Sequence, residues 1–116
     1  MPRSRFNHPS IMIMCEANYS NAHGTPWMYK NRKIGKLVGM PVAGTMTSVN
    51  FINMQDESLR YGIPIVGYRD EQGNYLENQL LLPDVEVDNA KETVVKGVDS
   101  QLETAVKTLL NDIDKK

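Results

Sequence analysis

The sequence predicts an α/β chain, a mixed sheet with packed helices, and three observations carry that prediction. An unbroken apolar run of strand length, Ile11 to Cys15, is followed by a helical-looking stretch. Two more extended segments come next, Ile34 to Val38 and Val42 to Phe51. A capped amphipathic helix over about residues 99 to 114 closes the chain.

Each element has a local reason. Residues 1 to 9 are polar and end in His8-Pro9, where proline disfavours helix at the residue before it, so they read as loop. The Ile11 to Cys15 run has no polar alternation, as expected for a central strand covered on both faces. Beyond it, Gly24-Thr25-Pro26 offers an N-cap and a first helical position. An interior proline costs about 3 kcal/mol or more, so the expectation is one turn after Ser20, then a main helix from Thr25 or Pro26 to about Arg32. Trp27 and Met28 would face the core.

The Val42 to Phe51 segment is rich in Thr and Val and is interrupted by Gly44. Asn53 to Leu59 is a polar connection, and Tyr61 to Tyr68 is extended, with Gly62 and Pro64 marking an edge or a bulge. Arg69 to Asn74 reads as a turn with Gly73 at the left-handed position, which predicts a hairpin of Ile63 to Tyr68 with Tyr75 to Asn78. Ser100-Gln101-Leu102-Glu103 has the form of a capping box, followed by an apolar stripe of Leu102, Val106, Leu109, Leu110 and Ile113 expected to lie on the sheet. Asp99 and Glu103 at one end, and Lys115 and Lys116 at the other, suit the helix dipole.

Composition narrows the function classes. With 116 residues, 41% of them apolar, the chain suffices for one domain with a modest core. Thirteen basic against fourteen acidic residues give a net charge of -1, which offers no field for nucleic acid or an anionic membrane. The single cysteine, Cys15, excludes an internal disulfide and a Cys-rich zinc site, and its place in the apolar run reads as a small buried hydrophobe. No apolar run is long enough to span a membrane, and Met1 to Phe6 lacks the apolar region of a signal peptide.

The candidate chemistry sits in Glu16-Ala17-Asn18-Tyr19-Ser20-Asn21-Ala22. A serine at a strand-to-helix turn presents its Oγ at the edge of a sheet, beside backbone N–H groups able to hold an oxyanion. Taken locally, Ser20 reads as a turn or N-cap residue ahead of a nucleophile. Three later segments extend the pattern: Gly35-Lys36-Leu37-Val38-Gly39-Met40-Pro41-Val42-Ala43-Gly44, Tyr75-Leu76-Glu77-Asn78 with Leu82-Pro83-Asp84-Val85-Glu86-Val87, and Gly97 to Glu103. In this order and spacing the chain resembles the C-terminal half of the catalytic core of the tail-specific (C-terminal processing) and tricorn-type serine peptidases, over nearly its whole length.

The resemblance implies the C-terminal portion of a β/β/α core of the crotonase and Clp-peptidase type, with residues 1 to 116 as one part of a catalytic domain that begins upstream. It maps Ser20 onto the nucleophile, Asn21 onto the position whose N–H contributes to the oxyanion hole, and Glu77 onto a supporting glutamate. A serine hydroxyl attacks only when a base takes its proton, and a third group must orient that base. In the tricorn branch the base is a histidine, expected upstream of this chain. The other branch uses a lysine about twenty-five positions after the serine, where this chain reads Gly44-Thr45-Met46-Thr47-Ser48, so a serine-lysine dyad is disfavoured.

His23 stands where the family usually has glutamate. An adjacent-turn His-Ser pair is not the family's arrangement, and an exposed or capping histidine is the reading adopted. Asp84 reads as a cap or turn stabiliser, and Gly35, Gly39 and Gly44 lack the Lys-Thr ending of a phosphate loop, which leaves close strand approach as their role.

The function expected is therefore serine endopeptidase chemistry on a peptide or unfolded protein bound extended along a strand edge near Ser20. No metal or organic cofactor is required, and the missing N-terminal half and further copies of the chain are the expected partners. The compartment is open, since many relatives work in the cell envelope or outside the cell and tricorn-type enzymes work inside it. Two other readings stand beside this one: a non-catalytic peptide-binding module of the same fold, and an acyl hydrolase using the same serine.

Overall fold

A computed structural model describes residues 6 to 115. The elements run β1 (Ile11–Met14), α1 (Asn21–Asn31), β2 (Lys36–Gly39), β3 (Thr47–Asn53), β4 (Arg60–Gly67), β5 (Val85–Glu86), α2 (Lys91–Val94) and α3 (Ser100–Asp114). The chain is α/β, and its strands divide between a parallel sheet of order β1-β2-β5 and an antiparallel ribbon of β3 and β4.

β2 is the central strand. It pairs with β1 from Ile11↔Lys36 to Met14↔Gly39, and with β5 at Val38↔Val85 and Gly39↔Glu86. Both Leu37 and Val38 are fully buried, as expected of a strand with a neighbour on each side and a helix over each face. The expectation of a central β1 is thus corrected: among the described residues it is an edge strand, and Ile13 is exposed. Alternation along the strands sends Met12, Met14 and Leu37 into a cluster with Trp27 and Tyr29 of α1, joined by Val42 and Leu81. α3 packs on β1 and β2. Where β1 and β2 end, Gly39 has φ 128°, and a Cβ there would collide with the Met14 carbonyl. Glycine is needed at that crossing.

α1 is one continuous helix with Pro26 inside it, not a single turn followed by a second start. A proline leaves the carbonyl four residues back without a donor, here that of Ala22. The Asn18 side chain supplies it, donating from Nδ2 to the Ala22 oxygen at 2.9 Å. The helix therefore begins at Asn21, and its inward residues are His23, Gly24, Pro26 and Tyr29, while Met28 is exposed.

The ribbon corrects a second expectation. β4 pairs with β3 from Thr47↔Gly67 to Asn53↔Arg60, and the expected hairpin with Tyr75 to Asn78 is reduced to the isolated Arg69↔Tyr75 bridge and the bond from the Leu76 N–H to the Tyr68 carbonyl at 2.9 Å. Asp56 caps the intervening turn by accepting from the N–H and hydroxyl of Ser58. The ladder slips between Ser48 and Val49, opposite Pro64 and Val66, so the proline sits beside a bulge as its missing N–H demands. Val42 makes a bridge to Leu81 and is not part of β3.

α3 starts one residue earlier than a capping box at Ser100 would place it. Asp99 is the N-cap and accepts from the Leu102 N–H at 2.9 Å, which helps hold its carboxyl below the usual 3.8. The face against the sheet is Gln101 and Ala105, with Leu109 half-buried, whereas Leu102, Val106, Leu110 and Ile113 are exposed. Polar contacts set that rotation: Gln101 Nε2 donates to the Val87 carbonyl at 3.0 Å, and Lys36 pairs with Asp112 at 2.7 Å. We expect Leu109→Ala to cost about 1 to 2.5 kcal/mol and Leu110→Ala less than about 0.5 kcal/mol. Urea midpoints of the two variants check this, and equal losses would mean that the helix is rotated from the position described. No helix among the described residues is long and apolar enough to cross a membrane.

Candidate active site

The parallel strands point their carboxyl ends at the segment that carries Ser20, the end of such a sheet where ligands bind. β1 stops at Met14, and residues 15 to 19 carry the chain over to α1. Asn18 fastens this loop: its Oδ1 accepts from the Cys15 N–H and thiol, both at 3.3 Å, and its N–H donates to the Cys15 carbonyl at 3.0 Å. Cys15 is only half-buried and bonded to a polar side chain, so its reading as a buried hydrophobe is corrected.

Ser20 has φ 56° and ψ -116°, outside the left-handed helical well and sparsely populated by any residue but glycine. Such a conformation costs about 1 to 3 kcal/mol and persists only when its surroundings hold it. They do so here from both sides of the residue. The Ser20 carbonyl accepts from the N–H groups of His23 and Gly24, at 2.8 and 3.1 Å, and its own N–H donates to Thr45 Oγ1 at 3.0 Å. The Ser20 side chain is not used as a cap. Half-buried and with no hydrogen bond among the described residues, its hydroxyl is free for other chemistry. Asn21 opens α1, and its N–H likewise has no partner among the described residues. A strand end, a strained serine and an N–H at a helix start with no partner among the described residues come together in this turn, an arrangement able to present a hydroxyl beside an oxyanion donor.

Glu77 lies on the segment that returns beside Gly44. The Asn78 N–H donates to the Gly44 carbonyl at 2.8 Å, with Asn78 itself at φ 62°. Glu77 Oε2 accepts from the Met46 N–H at 2.7 Å and from Thr47 Oγ1 at 2.6 Å, which fixes the carboxylate. Residues 45 to 47 therefore hold Ser20 at one end and Glu77 at the other. Between them Met46 packs against Gly24 of α1, where any Cβ would strike its thioether.

The expectation of an exposed or capping His23 is corrected. It is 1% exposed, and neither ring nitrogen has a partner among the described residues. Because α1 begins at Asn21, position 23 falls on its inward face. Burial lowers the His23 pKa below the ordinary 6.5, and the Glu77 carboxylate pulls it the other way. The sign follows: the unfolded chain binds a proton at His23 at pH values where the folded chain does not. Stability therefore declines as pH drops below about 6.5, until the folded imidazole is itself protonated. We expect a lower urea midpoint at pH 5.5 than at pH 7.5 and a smaller difference in His23→Gln. An equal difference in that variant would show that His23 is not held neutral. The lowered carboxylates, Asp84 and Asp99 among them, start to lose their contribution only near 3.8 and below.

His8, at the start of the described chain, sits edge-on against Phe6 and is exposed. Asp84 is bound into the fold: it accepts from the Leu37 N–H at 2.8 Å and pairs with Lys30 at 3.0 Å. Partial burial opposes its ionisation, and those contacts outweigh it. A cavity of about 600 Å³ bounded by Lys30, Lys33, Lys36, Asp84 and Asp112 opens where β1 and β2 begin, away from Ser20. Two of its three lysines are already paired with aspartates. Among the described residues no three His, Cys, Asp or Glu side chains gather where they could hold a metal ion. Sequence reasoning brought Ser20, Asn21 and Glu77 forward and missed Thr45, whose only signal was its distance of twenty-five positions from Ser20.

Comparison with known proteins agrees with this geometry. The chain is 26% identical over its whole length to a protein described as a tricorn-like protease C-terminal subunit of Sulfurisphaera tokodaii, and spans 14% of that protein. Its fold matches the tricorn protease over 90% of this chain and 10% of the other, with TM-score 0.79 and 22% identity. It also matches the photosystem II D1 C-terminal processing protease over 71% of this chain and 21% of the other, with TM-score 0.57 and 17% identity. The family model for peptidase family S41 matches residues 2 to 87, which takes in β1 through β5 with the Ser20 turn and Glu77, and on that match the chain belongs to this family.

Proposed function

We propose that this chain supplies the nucleophile part of a serine peptidase core, with Ser20 as nucleophile, the Asn21 N–H as one oxyanion donor and Glu77 as the group that supports the base. The observation that carries this reading is the Ser20 backbone, held at φ 56° and ψ -116° while its hydroxyl makes no cap to α1 and no hydrogen bond among the described residues. In acyl transfer Ser20 Oγ would attack the scissile carbonyl as the base takes its proton. The oxygen of the tetrahedral intermediate would then lie against the Asn21 N–H. A substrate strand could pair with the edge of β1, which has no second neighbour among the described residues.

The base is proposed to come from outside this chain, since His23 has no hydrogen-bond partner among the described residues and His8 lies against Phe6. The test is an alkyl fluorophosphonate on the complete peptidase, with the adduct mapped by mass. Labelling at Ser20 together with peptide hydrolysis supports the proposal. Labelling with thioester turnover alone points to an acyl hydrolase, and no labelling at Ser20 to a peptide-binding module.

The partner expectation follows from exposed surface. The β3–β4 ribbon leaves Phe51, Tyr61, Ile63, Ile65 and Val66 exposed, α3 leaves its apolar stripe uncovered, and β1 has an open edge. Unpaired edges and apolar faces of this kind recruit other chains. By itself at micromolar concentration the chain should sediment as a dimer or larger species and show no Ser20-dependent peptide hydrolysis. A clean monomer, or full activity, would overturn this.

A further inference from the structure

The strained Ser20 turn needs a partner for its N–H, and the structure supplies one from a distant segment. Thr45 Oγ1 accepts that N–H at 3.0 Å across twenty-five positions of sequence. It is the one side chain bonded to the Ser20 backbone among the described residues, and the other two bonds to that residue come from the first turn of α1. Those two bonds form at the start of many helices and do not by themselves impose a positive φ.

Thr45 is also the first of three residues that act together. Directly after it, the Met46 N–H and the Thr47 hydroxyl hold Glu77 Oε2, and the Met46 side chain occupies the space that Gly24 leaves on α1. Movement at position 45 is thereby tied to the helix behind Ser20 and to the carboxylate of Glu77.

We propose that Thr45 is a positioning residue for the nucleophile: its hydroxyl fixes the Ser20 N–H, and so the backbone angle from which Oγ and the Asn21 N–H are presented to substrate. The inference rests on the reading of Ser20 as nucleophile. Its physical content is that an uncharged hydroxyl, acting on the backbone of the serine and not on its Oγ, sets the geometry of attack. Thr45 takes no proton and touches no reacting atom. A displacement of the turn by a fraction of an ångström would move both Oγ and the oxyanion donor off the attack line, which is how positioning changes affect rate.

The test uses Thr45→Val, which keeps the shape and removes the acceptor, and Thr45→Ser, which keeps the acceptor. Two readouts are taken: exchange of the Ser20 amide proton by NMR in the 116-residue chain, and the rate of fluorophosphonate labelling of the complete peptidase. In Thr45→Val both should change by about 10-fold or more, the amide exchanging faster and Ser20 labelling more slowly, as expected for one lost hydrogen bond with its N–H left unsatisfied. The Leu37 amide in β2 should be unchanged, and Thr45→Ser should stay within about 3-fold of wild type in both readouts. A Thr45→Val protein with wild-type exchange or wild-type labelling overturns the proposal. So does a Thr45→Ser protein that behaves like Thr45→Val, because packing of the methyl group would then be the cause. If wild type exchanges slowly at Ser20 yet never labels, the nucleophile reading has failed and the positioning role falls with it, whereas labelling unaffected by Thr45→Val removes the positioning role alone.

Discussion

Ser20→Ala in the complete peptidase is expected to lower kcat by about 10⁴-fold or more and to leave the free energy of unfolding in urea within about 1 kcal/mol of wild type. On the proposed mechanism the activity loss is large because no other group can form the acyl bond once Oγ is gone. The effect on stability is small because the Ser20 side chain makes no hydrogen bond among the described residues and is not the cap of α1. Its backbone bonds to Thr45, His23 and Gly24 survive the substitution. Glu77→Gln is the graded companion. It removes charge from the group proposed to support the base without attacking, so the expected loss is at least about 10-fold, with the Met46 and Thr47 contacts still available to an amide oxygen. Peptide hydrolysis with circular dichroism on the same samples checks both variants. Wild-type turnover in Ser20→Ala would remove Ser20 from the mechanism.

The largest loss of stability is expected at Leu37. It is fully buried in the middle of the central strand, against Met14 and the Tyr29 ring of the α1 cluster. Leu37→Ala should cost about 2 to 5 kcal/mol, the sum of lost transfer energy and a cavity that two strands and a helix cannot close. For a chain of this length total stability is on the order of 6 to 17 kcal/mol, so the variant should be folded in buffer but melt early. The backbone at Leu37 is held independently by Asp84, whose carboxylate accepts its N–H, which confines the effect to the side chain. Urea unfolding at a concentration where sedimentation is constant measures it. A loss below about 1 kcal/mol would mean that this core is not the one that organises the chain.

These two residues stand for two kinds of legibility. Leu37 and Val38 lay within a segment that reads as a strand, Ile34 to Val38, whereas Ser20 stood out only once its place after a strand-length apolar run was joined to the family resemblance. The resemblance to a family, carried by the order and spacing of several segments, brought Asn21 and Glu77 forward with it. Local pattern sufficed for the strand and the turn because these are specified by residues next to one another, but not for the choice of Ser20 over a cap residue.

It failed where a distant group altered a local rule. Pro26 should have started a helix, and the Asn18 amide, bonded to the carbonyl that the proline leaves free, lets α1 begin five residues earlier. That shift turned His23 from a surface position into a buried one. The stripe on α3 was correctly periodic, but periodicity says that an apolar face exists and not which face meets the sheet. Gln101 on Val87 and Lys36 on Asp112 decided that, and left Leu102, Val106 and Leu110 outside. The hairpin expected after β4 shrank to Arg69 with Tyr75 and Tyr68 with Leu76, because turn residues at 69 to 74 specify only the reversal of the chain, whereas the long ladder of β4 is made with β3, across the connection that precedes it.

By itself, then, the sequence determined the α/β class and the succession of β1, α1, β2 and the closing helix α3, since these depend on side chains within a few positions of each other, whereas the short β5 and α2 were not foreseen and the candidate site residues came forward through the resemblance to a family. Only the tertiary structure decided that Thr45 holds the Ser20 turn, that Met46 and Thr47 hold Glu77, and that His23 lies buried without a partner. Those are hydrogen bonds and burial between segments about twenty to thirty residues apart, whose energies depend on the distance and angle at which the folded chain brings the groups together.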